Sequence, residues 1–373
     1  MKIACFALSA VCIGSACFAS PFMVIGDGAE LHATGTVGVR ADDNIFLSAN
    51  AQSDVIFDVN PGVELSFGKN AQVKGALTLV ESFASYADNS DLNANLFAGD
   101  FSTKFDDGKM KLGFAIKFHE LNQNQFDRRP VLVGGGGMLN RRDVFAAGGT
   151  AEVELSQLSL IGSGVSFDQE KFKLKGFSNL SSLTIPVDLF YRWSQKTDLS
   201  LGYRYRDSRV DVGQDSTDHF FNVGARGEFS PKLTGRLAVG VTTRKPQGGG
   251  ENTLLGLDSS MRYEISPKSD LEFGASNDFG TSSRGQQEKN LTLRGSLSTR
   301  IADEWTVNGG LQWRSINSAG RTDDYVEAQL GTSYLVNANV RIQGSYVHRD
   351  YSTVLKGSEF KNNVFAVATS FRF

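Results

Sequence analysis

Cysteine is confined to the start of the chain, at Cys5, Cys12 and Cys17. With none further on, the remainder needs no disulfides even in an oxidising compartment. Proline, at 7 of 373 residues, is too sparse for a Pro-rich linker, and no Ser-rich stretch replaces one, so residues 20–373 read as a single domain. A formal charge of -3 lacks the basic excess of a nucleic-acid binder, and no nucleic-acid partner is expected. With 40% hydrophobic and 21% charged residues, the composition is not that of a disordered polyampholyte either. After residue 20 no apolar run approaches the ~20 residues of a transmembrane helix, which excludes a helical membrane protein. Histidine is scarce: His32, His119, His219 and His348 show no metal-ligand spacing and no Gly-x-Ser-x-Gly elbow beside them. They are expected in loops or in a lumen, and no metal, cofactor or catalytic residue is assigned.

What the first residues do have is order. Met1-Lys2, an apolar run from Ile3 to Phe18 and small residues at Ala19-Ser20 match the three regions of a secretory signal, with cleavage expected after Ala19. A lipoprotein would use Cys17, but Gly14 stands where such signals carry a large aliphatic residue.

Beyond the signal, apolar residues recur at every second position, the period of a strand. Leu233, Leu237, Val239 and Val241 alternate with Thr234, Arg236, Gly240 and Thr242; Trp305, Val307, Leu311 and Trp313 alternate with Thr306, Asn308, Gln312 and Arg314. Each segment is about ten residues long, enough for a tilted strand to cross the hydrocarbon layer. Sandwich strands alternate too, so the connections decide. Polar links at 349–361, 315–323, 280–288, 244–252 and 207–218 take turns with tight ones such as Asn337-Ala338, Ser266 to Ser269 and Ser230 to Lys232. Long loops on one rim and short turns on the other belong to a barrel whose ends face different compartments. The N-terminal half continues the pattern at 31–40, 54–67, 71–80, 97–105, 110–118 and 145–156, with Pro61 interrupting the second of these and suggesting a bulge or bend. Between Gln157 and Leu183 strand parity demands one further crossing, expected between Leu158 and Phe177. The count is then about eighteen, or sixteen if the Phe145 segment is a loop. The expected fold is all-β, an antiparallel up-and-down transmembrane β-barrel in a Gram-negative-type outer membrane.

In such a barrel the apolar face meets lipid and the polar face lines the lumen. Tyr191, Trp193, Tyr203, Tyr205, Phe229, Tyr263, Phe279, Trp305, Trp313, Tyr334 and Tyr346 fall near strand ends, where aromatic girdles sit at the lipid interfaces. The last strand sets Phe365, Val367, Phe371 and Phe373 on one face. Phe371 and the terminal Phe373 are the expected assembly signal for the barrel-assembly machinery, read by pairing with an edge strand.

Arginines mark the lumen face: Arg192, Arg204, Arg226, Arg236, Arg262, Arg294, Arg314 and Arg341. A basic strip in a confined pore lowers the barrier for anions. Glu228, Asp258, Glu264, Glu272, Asp278 and Glu327 share that face, however, and cross-strand ion pairing is the favoured account. The stretch Phe118 to Phe145 holds Arg128, Arg129, four glycines at 134–137, Arg141 and Arg142; it reads as a surface loop, with an inward constriction as the alternative. It lacks the Gly-Lys-Ser/Thr of a phosphate loop. Asp42-Asp43-Asn44 and Asp88 to Asp91 lack calcium-loop spacing and are expected as solvated turn residues.

Val37 to Phe46 followed by Ser53 to Val63 resembles the opening of an outer-membrane β-barrel porin family whose members often accompany exopolysaccharide or capsule export. The resemblance implies an outer-membrane barrel with polysaccharide export components as partners, beside membrane lipid, and supplies no catalytic residues. Three functions follow as expectations. The leading one is a pore for polar solutes or a polysaccharide strand; a plugged structural barrel and an outer-membrane lipid enzyme with a Ser-His pair are the rivals. No lipid-facing strip is notably polar or small, which favours a monomer.

Overall fold

The computed structural model describes residues 20–26, 28–122 and 141–373. The expected signal and the glycine-rich centre of the loop before Arg141 lie outside the described residues.

Period-two alternation becomes strand throughout. A short β1 (Met23–Ile25) precedes β2 (Ala29–Asp42), β3 (Asp54–Phe67), β4 (Val73–Tyr86), β5 (Ala94–Asp106), β6 (Met110–Leu121) and β7 (Arg142–Ser156). There follow β8 (Ser159–Phe172), β9 (Leu180–Arg192), β10 (Thr197–Val210), β11 (Ser216–Ser230), β12 (Leu233–Pro246) and β13 (Asn252–Ser266). The last are β14 (Ser269–Thr281), β15 (Gln287–Arg300), β16 (Trp305–Ser318), β17 (Arg321–Asn337), β18 (Val340–Ser352) and β19 (Phe360–Arg372). From β2 onward each strand is antiparallel to the next, and β19 pairs with β2. Eighteen strands therefore close into one barrel. The crossing demanded by parity is β8, and β7 is a full strand, so sixteen is excluded.

Closure satisfies the backbone polar groups that lipid cannot. At the seam Phe365 lies opposite Ala41 and Phe371 opposite Gly35. The Phe373 N–H donates to Ala33 O at 2.9 Å, and Ala33 N–H to Phe373 O at 2.8 Å. β1 takes up the same edge of β2 just beyond, from Met23 opposite Leu31 to Ile25 opposite Ala29. It shields backbone that would otherwise be an open edge.

β2 begins and β19 ends on the short-turn rim, the side of turns 157–158, 231–232, 267–268 and 338–339. Loops 43–53, 87–93, 173–179 and 353–359 form the other rim. Strands of 12 to 17 residues exceed the ~9–11 that span hydrocarbon, so the ladders continue above the lipid. That corrects the long link expected at 315–323. Pairing persists to Ser318 and Arg321, and only Ala319 and Gly320, with φ of 51° and 78°, make the turn. Pro61 makes no bulge. Its missing N–H interrupts the β3–β4 ladder between Val59–Phe83 and Gly62–Val80, and the register is unchanged. Register shifts fall instead on β7, β11, β13 and β17, each at the last pair before a short turn.

The two faces divide as alternation requires. Val37, Phe57, Leu201, Leu255 and Phe365 point out and are exposed, while Arg40, Asp218 and Arg244 point in and are buried. Tyr191, Trp193, Tyr263, Trp305 and Tyr334 are exposed outward at the short-turn rim, and Tyr203 meets Phe221 near the other rim, with ring centroids 4.8 Å apart. Phe279 is the exception among the expected girdle residues. It is buried, with the Arg244 guanidinium 5.1 Å from its ring centre.

Candidate functional site

All eight candidate arginines occupy inward positions of their strands. Five have carboxylate partners at short range. Arg192 Nη2 lies 3.0 Å from Glu154, Arg204 Nη2 2.7 Å from Asp278, and Arg236 Nη2 2.7 Å from Asp258. Arg226 joins Glu152 at 2.6 Å and Asp198 at 2.9 Å, with its guanidinium 3.5 Å above the Phe190 ring. Arg262 lies 3.4 Å from Asp270. Arg294, Arg314 and Arg341 also have partners. A paired guanidinium contributes dipole and hydrogen-bonding capacity to a pore wall but little net field.

Several pairs span strands that are not neighbours. Arg204 on β10 and Asp278 on β14 are four strand spacings apart, about 19 Å along a flat sheet at ~4.8 Å per strand. They can meet only by leaving the wall and crossing the lumen. Around them Arg206 Nε donates to Asp218 at 2.7 Å and Arg206 Nη1 to Asp278 at 3.1 Å. Arg244 donates twice to Asp218, at 2.6 and 2.8 Å, and once each to Gly280 O and Gln287 Oε1 at 2.5 Å. Three arginines and two aspartates thus brace β10, β11, β12 and β14 near the loop rim. Alternation identifies Arg204 and Asp278 as inward; nothing in the local pattern says that residues 74 apart touch.

The loop rim is narrowed from two sides. Loop 43–53 folds inward and sets Ile45 and Phe46 against Ile56, Ala84, Tyr86 and Leu92, and Leu47 against Tyr325, Tyr351 and Phe360. Those partners lie on the inner wall from β17 round to β4 and in loop 87–93. Asn44 fixes the loop, donating from Nδ2 to Lys361 O and Ser48 O, each at 2.8 Å. Asp42 and Asn44 are therefore buried at about 1% exposure, which corrects their expected place in solvent. Leu47 pays for the inward turn with φ at +47°, a conformation a branched residue adopts only where its surroundings impose it. From the opposite side the β14–β15 hairpin leans over the mouth. Ser178 N–H donates to Ser283 O at 2.7 Å, and Gln287 Nε2 to Gln214 O at 2.8 Å. The apolar triplet Ile45-Phe46-Leu47 within a polar loop is the sequence feature that marks this burial.

Outside the strands, Lys173 clips the outer rim to Asp143 at 2.9 Å and to Glu120 at 3.3 Å. The hydrogen bond to Asp143, with that to Glu120, holds its ammonium above the usual lysine range. The histidines divide. His119 faces the lumen with Asp100 Oδ2 2.8 Å away, and His32 faces it 3.8 Å from Glu30. His219 and His348 point outward near the loop rim, against expectation, bonded to Tyr203 and Asn363 at 2.8 Å.

A closed barrel of eighteen strands, apolar outside and charged within, is a porin-like protein of the outer membrane. Residues 197–373 match the model of the family described as "Putative beta-barrel porin 2". The match covers the regular C-terminal hairpins, and the porin-like motif at residues 37–63 lies outside it. No curated protein matches the chain. Among solved structures, OpdK from Pseudomonas aeruginosa is 11% identical with a TM-score of 0.46, covering 92% of this chain and 99% of its own. OpdK with vanillate reaches 14% and 0.49, covering 93% and 99%. OccK2 (OpdF) of the same organism reaches 10% and 0.49, covering 92% and 98%.

Proposed function

We propose that the chain is a pore for small polar solutes whose outer mouth is narrowed by its own loops. The observation that carries this is the inner wall. Its charged and polar side chains line a closed barrel of eighteen strands, a size that leaves a water-filled lumen. The inward loop 43–53 and the leaning β14–β15 hairpin favour small solutes over a thick polymer.

Single-channel recording on the refolded full chain tests the proposal. Discrete conductance steps are the expected result; repeated insertion without steps, together with no solute entry in liposome swelling, would leave the plugged structural barrel. Swelling in oligosaccharides of rising length separates a small-solute pore from a polysaccharide conduit, which would pass the longer ones as well.

A further inference from the structure

Ion pairing occupies most lumen cations, but two lysines at the short-turn end stand apart. Lys74 is the second residue of β4 and Lys104 the third from the end of β5, and they are directly opposite each other in the ladder. Both lie inward. On β4 the exposed Val73 and Phe83 mark the outward parity, and on β5 the buried Ala94 and Leu96 mark the inward one. Both lysines are exposed to the lumen, and among the described residues neither has an ion pair or a side-chain hydrogen bond.

Side chains directly opposite on one face stand with their Cβ atoms roughly 5 Å apart, and like charges there are destabilising. A sheet built for stability alone would carry one charge or an opposite pair. The flanking positions offer no relief. Gly68 lies beside Lys74, and Gly113 is opposite Lys104 on its other side. Thr150 follows Gly113 on β7. The row from the Gly68 turn across β4, β5, β6 and β7 therefore holds two ammonium groups, two glycines and a hydroxyl, and no carboxylate. The nearest acid on this face, Asp106, accepts at Oδ1 from the Gly108 N–H of its own turn at 2.8 Å and forms no ion pair with either lysine among the described residues, and Glu152 is held by Arg226 at 2.6 Å with Lys111 at 3.8 Å.

We infer that Lys74 and Lys104 form an anion station at the inner end of the lumen, taking small solutes that bear a phosphate or carboxylate group. The assignment deepens the proposed pore and, as a statement about what passes, rests on it. Two unpaired ammonium groups on flexible stems, with side-chain-free neighbours, leave room for an anion to replace part of their hydration. Bound there, the anion removes the repulsion between them. In a confined lumen the same charge raises the local anion concentration at that end.

The test uses the refolded full chain with inorganic phosphate as the probe, in calorimetric titration at low salt. K74Q and K104Q are each expected to weaken phosphate binding about threefold, within the range of one exposed charge contact, and K74E/K104E to abolish it. Each single glutamine variant should be at least as resistant to urea as the parent, because it relieves like-charge repulsion; a structural role predicts the reverse. In a salt gradient the parent should prefer anions and K74E/K104E cations. A parent that binds no phosphate, or a K74Q/K104Q double variant that binds it unchanged and keeps the same reversal potential, overturns the assignment. Phosphate bound through these lysines in a barrel that never conducts would instead overturn the pore and leave the site standing.

Discussion

Asp218 is 1% exposed and sits between two guanidiniums, with Arg206 Nε 2.7 Å and Arg244 Nε 2.6 Å from its oxygens. Three cations and two anions share this buried knot, so its stability depends on every member being present. Removing one anion leaves Arg206 and Arg244 facing each other with Asp278 as the remaining carboxylate of the brace. Breaking a buried pair in this way costs about 3 kcal/mol, because the surviving charge is stranded. Asp218→Ala should accordingly lower the unfolding free energy of the refolded chain, read from urea titration, by that amount, whereas Asp198→Ala, at the more open Arg226, should cost less than half as much. Equal losses at the two sites would mean that the brace is not the stabilising feature its burial suggests.

At the scale of the strand, much was legible and the reasons are local. Alternation located β3 to the residue, because Val55, Phe57, Val59 and Val63 share one face and Asp54 and the 68–72 turn bound it. β8 was hidden, since Gly162, Ser163, Gly164 and Ser166 dilute the apolar signal between Ile161 and Phe167; parity, a property of the whole barrel, supplied it. On the loop rim the strands outlast the apolar alternation, because above the lipid the ladder persists while its outward residues turn polar, as at Ser315 and Asn317. The lumen face was readable residue by residue, but the inward fold of loop 43–53 and the contact of Arg204 with Asp278 depend on curvature that no local pattern encodes. The final strand carries its own prediction. Phe373 closes the seam through both of its backbone bonds to Ala33 and presents an exposed ring outward, the arrangement expected of a residue read during assembly by strand pairing. Deleting Phe373 should lower the folded fraction recovered from outer membranes, followed by heat-dependent gel mobility, while Phe373→Trp should restore it. Undiminished folding of the deletion would remove Phe373 from the assembly signal.

For the molecule as a whole, the two rims differ in kind. The short-turn end presents tight hairpins and the Lys74–Lys104 pair to an open lumen wall, while the loop end is covered by the inward 43–53 segment on one side and the leaning β14–β15 hairpin on the other. In the proposed pore, passage would be governed at the loop end, and what narrows that end is mainly apolar. Ile45 is fully buried, Phe46 and Leu47 nearly so, and burying three side chains of this size contributes on the order of 5 kcal/mol. This offsets the strained backbone at Leu47, roughly 1–2 kcal/mol, and the entropy of ordering an exposed loop. Replacing all three with serine removes the apolar term and leaves the Asn44 hydrogen bonds, which water can match. The variant should therefore keep its barrel, with unchanged heat-dependent gel mobility, and show larger conductance steps and faster solute entry in liposome swelling than the parent. A triple variant with the parent's conductance would mean that the loop lies beside the path and not across it, and the restriction would then fall to the arginine–aspartate brace below.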